Sequence, residues 1–75
     1  MREFNGKSFS EKHGGPFDRG AADSYYHRPR DPHYWPSGTY NGRRREISEM
    51  SAEEVQAYLA GYDWNEQYGD KKVWD

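Results

Sequence analysis

The chain has 75 residues and no cysteine, so it forms one small domain at most, and neither disulfides nor thiolate metal sites can stabilise it. Leu, Ile, Val and Phe number only seven, whereas aromatic residues make up 17% of the chain and the formal net charge is -2, so any core must be built from aromatic side chains. No stretch approaches the roughly 20 apolar residues of a membrane span, and the polar opening does not resemble a secretory signal, which together predict a soluble, cytoplasmic protein.

Charge is unevenly distributed along the chain. Residues 1–23 are neutral, whereas residues 24–45 carry five arginines against Asp31 alone, a net charge of +4. Residues 46–75 carry eight carboxylates against two lysines, a net charge of -6. The sequence is therefore basic in the middle and acidic at its end, and the acidic part is interpreted as the solvated face of a helix.

The first 15 residues mix Gly, Ser, Lys and Asn without any hydrophobic periodicity, and the segment ends in "HGGP". This pattern predicts a mobile arm ahead of a single helical domain at 16–75. Phe4 and Phe9 leave open the alternative that the arm packs back on the domain.

A first helix is predicted over residues 16–28. Gly15 suits the N-cap and Pro16 the first helical position, while Pro29 disfavours continuation of the helix. One face of this helix has large residues at its ends and small residues between them, which would allow another helix to approach closely.

A second helix is predicted over residues 52–68. Ser51 and Glu54 have the spacing of a capping box, and Gly69 suits the end of the helix. An apolar stripe at helical spacing follows the cap and consists of Val55, Tyr58, Leu59 and Tyr62.

Gly61 lies inside this second helix, where glycine costs about 0.8–1.0 kcal/mol relative to alanine. Close approach of the first helix at Gly20 and Ala21 would explain its presence. The sequence therefore predicts that the two helices touch at these small residues.

Between the helices, prolines at 29, 32 and 36 favour an extended backbone, and Asn41-Gly42 predicts a tight turn rather than a sheet. The predicted fold class is all-α: a small domain of two antiparallel helices with an aromatic core, a mobile N-terminal arm and a long Pro/Arg/Tyr loop.

Catalytic and metal-binding patterns are missing from the sequence. His13, His27 and His33 have no metal-ligand spacing, and no serine lies in a nucleophile elbow. Glu53 and Glu54 are adjacent on a helix and point apart, so they do not form a facing acid-base pair. We expect no enzyme activity, no metal and no cofactor.

The segment 25–46 has the residue types of an RNA-contacting loop, because arginines hold phosphates and stack on aromatic rings while bases stack on Tyr and Trp. Two alternatives remain open: the aromatics could cover the core, with the arginines balanced by nearby glutamates, or the segment could bind a protein. The candidate RNA- or partner-binding residues are Arg28, Arg30, His33, Tyr34, Trp35, Tyr40, Arg43, Arg44 and Arg45.

The motifs "RGAADSYYHRPRDPHYW" and "AYLAGYDWNE" resemble the ribosome modulation factor family over residues 17 to 66. The resemblance implies a small two-helix protein that binds ribosomal RNA on the small ribosomal subunit and idles the ribosome in stationary phase. It would make Arg28, Arg30 and Tyr34 RNA-facing and place Gly20 and Gly61 at the helix contact. The chain is also similar to short bacteriophage and bacterial proteins.

These observations predict a ribosome- or RNA-associated regulator that acts through its basic aromatic loop, with ribosomal RNA or the small ribosomal subunit as partner. The alternative is a phage-type accessory protein that binds and inhibits a host protein.

Overall fold

The computed structural model describes residues 2–38 and 42–73. Two helices and two short antiparallel hairpins make up the fold of this part of the chain. The elements in chain order are β1 (Arg2–Phe4), β2 (Lys7–Phe9), α1 (Pro16–Tyr25), β3 (His33–Tyr34), β4 (Arg45–Glu46), a 3-10 turn (Ile47–Glu49) and α2 (Ala52–Tyr68).

The predicted all-α fold is wrong, and the first reason lies in the segment expected to be a mobile arm. β1 and β2 pair around Asn5 and Gly6, whose φ angles of 52° and 77° suit the tight turn of a two-residue hairpin. Phe4 and Phe9 are buried and cluster with Phe17 of α1. The hairpin therefore packs on the helices, as the alternative interpretation of the two phenylalanines proposed.

α1 ends at Tyr25, three residues before the predicted end. His27 has a φ of 60°, and its N–H donates to the Ser24 carbonyl oxygen at 3.1 Å. The N–H of Arg28 donates to the carbonyl oxygen of Asp23 at 2.8 Å, which completes a Schellman motif with histidine in the position that glycine usually occupies. The helix is thus closed by its own backbone before Pro29 is reached.

The N-terminus of α2 confirms the predicted capping box. The Glu54 N–H donates to Ser51 Oγ at 3.1 Å, and the Ser51 N–H donates to Glu54 Oε1 at 2.8 Å. Two amides of the first turn, which have no partner within the helix, are satisfied in this way.

α1 and α2 cross at two glycines, which confirms the predicted helix contact. A Cβ atom built on Gly20 would overlap the carbonyl oxygen of Tyr58, and one built on Gly61 would overlap that of Phe17. Each helix therefore approaches the other at backbone-to-backbone distance, and no larger residue fits at either position.

The second hairpin pairs β3 with β4, with His33 opposite Glu46 and Tyr34 opposite Arg45. A turn without a sheet was predicted here because the flanking strands are so short. The strands do have only two residues each, but they pair, and this is the second reason why the all-α prediction fails. Tyr40 and Asn41, the first residue of the predicted turn, lie outside the described residues.

The buried interior has an apolar part and a polar part. The apolar part contains Phe4, Phe9 and Phe17, with Trp64 packed against it. The polar part contains Tyr58, which is fully buried, together with charged and polar side chains from α1 and β3. The residues expected to form a binding loop lie over this polar part.

The polar part extends to the end of the described chain. Ser24 is fully buried, and its hydroxyl donates to Glu66 at 2.5 Å and accepts from Asn65 at 3.1 Å and from Lys71 at 2.9 Å. This network ties the segment after α2 to α1. Val73 is 76% exposed, and Trp74 lies outside the described residues.

Candidate functional site

The segment 25–46 is anchored to both helices. The Asp31 N–H donates to the Tyr58 hydroxyl oxygen at 3.0 Å, which holds the extended part of the segment against α2. The Trp35 N–H donates to the Gly14 carbonyl oxygen at 2.7 Å, just ahead of α1. The candidate residues that the structure describes therefore occupy defined positions instead of a free loop.

A buried hydrogen-bonded pair lies beneath this segment. Asp23 of α1 is 3% exposed, and it accepts a short hydrogen bond from the hydroxyl of Tyr58. Burial, and then this hydrogen bond, raise the pKa of Tyr58 well above its ordinary value. The phenol is consequently a neutral hydrogen-bond donor here and does not act as a base or nucleophile.

His33 is 5% exposed, so the side chain expected to touch a partner lies inside the fold. Its Nδ1 is 2.7 Å from the Asp31 carbonyl oxygen, an acceptor, so Nδ1 carries the proton. Nε2 then accepts a hydrogen bond from Nε of Arg19 at 3.3 Å. The two hydrogen bonds hold the His33 ring in one orientation, and the ring orients Arg19.

A cleft of about 310 Å³ opens beside these buried groups. Its lining contains three arginines and two aspartates, together with apolar surface from a proline and an indole ring. The lining residues are Arg19, Asp23, Arg28, Pro29, Asp31, His33, Trp35 and Arg44. The cleft brings three of the predicted site residues, Arg28, Trp35 and Arg44, together with His33 beneath them.

Arg28 and Arg30 lie on an exposed surface beside the cleft, each over a tyrosine ring. The Arg28 guanidinium is 5.0 Å from the centre of the Tyr26 ring, and the Arg30 guanidinium is 4.4 Å from that of Tyr62. Arg30 also pairs with Asp63 at 2.5 Å. We call Tyr26, Arg28, Arg30 and Tyr62 the stacked surface.

Arg43 and Arg45 form a different group, because both pair with Glu49 of the 3-10 turn. The hydrogen bonds from Arg43 lower the pKa of Glu49 to about 2. Arg44 turns the other way and pairs with Asp31 at 2.9 Å at the cleft. The arginine run is thus divided between two places, and its charge is balanced by carboxylates, as one of the alternatives left open by the sequence proposed.

The candidate aromatic residues also lie in different places. Tyr34 is half-buried, and a hydrogen bond with Glu54 of α2 raises its pKa. Trp35 is half-buried and lines the cleft. Tyr40 was predicted as a contact residue and lies outside the described residues.

Two side chains that line the cleft were missed by sequence reasoning. Arg19 and Asp23 lie four residues apart on α1, a spacing that usually indicates an exposed ion pair on a helix surface. In the structure both are buried, and neither bonds to the other; Asp23 bonds to Tyr58 and Arg19 to His33. The i, i+4 spacing was the only sequence signal for either residue.

Comparison with known proteins gave no match among family models, curated proteins or solved structures. In the described ranges, no group of three His, Asp or Glu side chains is arranged to hold a metal ion. Neither helix in this part of the chain has the length and apolar character needed to cross a bilayer.

Proposed function

We propose that the protein is a non-enzymatic, RNA-associated regulator that binds RNA through the stacked surface of Tyr26, Arg28, Arg30 and Tyr62. The observation that carries this proposal is the pair of exposed arginines that lie over tyrosine rings, Arg28 over the exposed Tyr26 and Arg30 over the buried Tyr62. Stacking fixes the plane of a guanidinium while leaving its N–H edge available to a phosphate, and exposed aromatic rings stack with unpaired bases.

The stacked surface has partial rather than complete charge compensation. The Arg28 side chain is 49% exposed, and its carboxylate partner among the described residues, Asp23, is 3.5 Å away. The backbone N–H of Lys72 donates to the Tyr25 carbonyl oxygen at 2.7 Å, which places a lysine of the C-terminal segment close to this surface. Arg43 and Arg45 differ from this pair because both lie against one carboxylate, that of Glu49.

Ribosomal RNA, in particular that of the small ribosomal subunit, is the RNA partner we propose, and this partner implies a cytoplasmic location. The resemblance of residues 17 to 66 to the ribosome modulation factor family supports this choice. Single-stranded loops of folded RNA suit the stacked surface better than a duplex, because only unpaired bases are free to stack on the exposed Tyr26 ring or on the guanidinium planes.

Fluorescence anisotropy with a single-stranded oligoribonucleotide at several salt concentrations tests the proposal. Each phosphate contact contributes a slope of about 0.7 to the log-log dependence of affinity on salt. The double variant Arg28→Gln with Arg30→Gln should weaken binding and flatten that slope by about 0.7 per lost contact. The matched control, Arg43→Gln with Arg45→Gln, removes the same formal charge away from the stacked surface.

Equal losses in the two double variants would show a non-specific charge effect and overturn the assignment to the stacked surface. Absence of RNA binding by the parent protein at low salt would overturn RNA binding itself. Ribosome co-sedimentation with the same three proteins then tests the ribosomal partner separately.

A host protein as partner is the second candidate, and a specific patch favours it. The 3-10 turn places Ile47, which is 54% exposed, beside the ion-paired side chains of Arg43, Arg45 and Glu49. An exposed apolar residue with polar groups around it is typical of a protein interface. Binding to a purified host protein would respond weakly to salt and would be reduced by Ile47→Asp.

A further inference from the structure

Arg19 is a buried cation that forms no ion pair with a carboxylate in residues 2–38 and 42–73. It is 8% exposed, and its hydrogen bond within these residues uses only Nε, which donates to His33 at 3.3 Å. A guanidinium keeps further N–H groups at its two terminal nitrogens, and burying a charge without a partner is costly.

The carboxylates beside Arg19 are already committed to other groups. Asp23 accepts from the Tyr58 hydroxyl and contacts Arg28, and Asp31 pairs with Arg44 at 2.9 Å. Three arginines and two aspartates line the cleft, and Arg44 also lies 3.4 Å from Glu46, which is outside the lining. Arg19 is therefore the lining arginine that pairs with no carboxylate in the described part of the chain.

His33 does not change this balance. Its Nε2 accepts from Arg19, so a proton on Nε2 would place two donors against each other and break the bond. Its Nδ1 proton is held by the Asp31 carbonyl oxygen at 2.7 Å. These two hydrogen bonds hold the imidazole in place, and the imidazole fixes the direction of Arg19.

We propose that this cleft binds a phosphate-type oxyanion, with Arg19 at its floor and Arg28 and Arg44 at its mouth. Guanidinium groups match phosphate oxygens with paired N–H donors, and the anion would neutralise the buried charge of Arg19. The side chains of Arg28 and Arg44 are 49% and 34% exposed, so solvent reaches the mouth of the cleft.

The cleft is larger than a phosphate alone requires. Its volume of about 310 Å³ is at the lower end of small-molecule sites, and Trp35 supplies one apolar wall. A phosphate monoester therefore fits, with its organic group against Trp35. This chemistry occurs both in small phosphorylated metabolites and at a phosphorylated end of RNA.

The proposal does not depend on RNA binding, because inorganic phosphate alone tests it. Calorimetric titration of the full chain with inorganic phosphate, at constant ionic strength in chloride, should give saturable binding of one anion per chain. In parallel, NMR spectra should show shifts of the Arg19 Nε–H and Trp35 indole N–H signals. Sulfate-free buffer avoids a competing oxyanion.

Two variants locate the anion. Arg44→Gln, at the mouth, should weaken phosphate binding at least about tenfold, in line with the loss of a hydrogen bond to a charged group. Arg19→Met should abolish binding, and circular dichroism checks that it folds; if it does not fold, Arg44→Gln still decides the question. Arg45→Gln is the control, because Arg45 pairs with Glu49 and does not line the cleft.

Absence of saturable phosphate binding by the parent chain would overturn the proposal, as would equal weakening by Arg44→Gln and Arg45→Gln. The source of the phosphate follows from two further titrations. Tighter binding of adenosine monophosphate than of inorganic phosphate supports a small monoester. Tighter binding of a 5′-phosphorylated oligoribonucleotide than of its 5′-hydroxyl form supports an RNA end.

Discussion

Gly20 and Gly61 each place a bare Cα against a backbone carbonyl oxygen of the opposite helix, Gly20 against Tyr58 and Gly61 against Phe17. The contact is reciprocal, so the crossing of α1 and α2 depends on the absence of two side chains. Because the obstructing atoms are backbone, a new side chain cannot be accommodated by a rotamer change.

Gly61→Ala should therefore destabilise the domain, even though alanine has the higher helix propensity. Overpacking typically costs about 1–3 kcal/mol, and the helices must separate to admit the methyl group. The free energy of unfolding, measured by urea titration, checks this. Gln67→Ala, at an exposed position of the same helix, is the control, and equal stability of the two variants would show that the helices do not touch at Gly61.

Loss of the N-terminal cap of α2 should also lower the free energy of unfolding measurably. Ser51→Ala removes the oxygen that accepts from the Glu54 N–H at 3.1 Å, and such changes cost about 0.5–2 kcal/mol. Ser48→Ala, in the exposed 3-10 turn, should leave the urea midpoint nearly unchanged. A Ser51→Ala protein as stable as the parent would mean that α2 begins at another residue.

The role of the Tyr58 hydroxyl can be separated from that of its ring. Tyr58→Phe keeps the packing but leaves Asp23 without its buried donor and the Asp31 N–H without its acceptor, at a cost of about 1–3 kcal/mol. Tyr68→Phe is the matched control, because Tyr68 is 69% exposed. Equal thermal stability of the two variants would contradict a structural role for this hydroxyl.

The raised pKa of Tyr58 also sets an upper pH limit for the fold. A group whose pKa is raised in the folded state stabilises the protein fully below its unfolded pKa, which is about 10 for tyrosine, and this contribution is lost as pH rises further. Stability of the parent should thus fall above about pH 10, and the fall should be smaller in Tyr58→Phe.

The carboxyl group of Glu49 provides a test at low pH. Hydrogen bonds from Arg43 lower its pKa to about 2, so the ion pair stabilises the turn above the ordinary pKa and is lost as pH falls through about 2. NMR titration of the side-chain carboxyl should give this low value, and Arg43→Gln should raise it. Lys7→Gln should not affect it, and an ordinary value in the parent would show that the pair is open in solution.

Some parts of this fold are encoded locally, and the sequence predicts those parts well. The capping box involves two residues three positions apart, and Gly61 stands out because glycine is costly in a helix. The Asn5–Gly6 pair carries the same turn signal as Asn41–Gly42, but strands of three residues are too short to show an alternating pattern, so the first hairpin was missed.

The cleft depends on contacts that local patterns do not encode. Arg19 looks like a surface residue of an amphipathic helix until His33 of β3 is placed beside it, and that placement requires β4, which follows ten residues after β3. Likewise, the sequence of residues 43–45 suggests one basic patch. In the fold, Arg43 pairs with Glu49 and Arg44 pairs with Asp31, so the arginines lie in two places. Tertiary pairing therefore decides which of the cations face a ligand.

The N-terminal hairpin gives the final prediction, because buried aromatic side chains join it to the helices. The Phe9 ring stacks on that of Phe17 with 5.5 Å between ring centres, and Phe9 is 9% exposed. Phe9→Ala should cost about 3–5 kcal/mol, comparable with the total of about 4–11 kcal/mol that 0.05–0.15 kcal/mol per residue gives a chain of this size. Trypsin should then cleave rapidly at Lys7, whereas the parent and the exposed control Ser8→Ala should resist. Rapid cleavage of the parent, together with unchanged stability of Phe9→Ala, would mean that residues 2–9 are detached from the helices in solution.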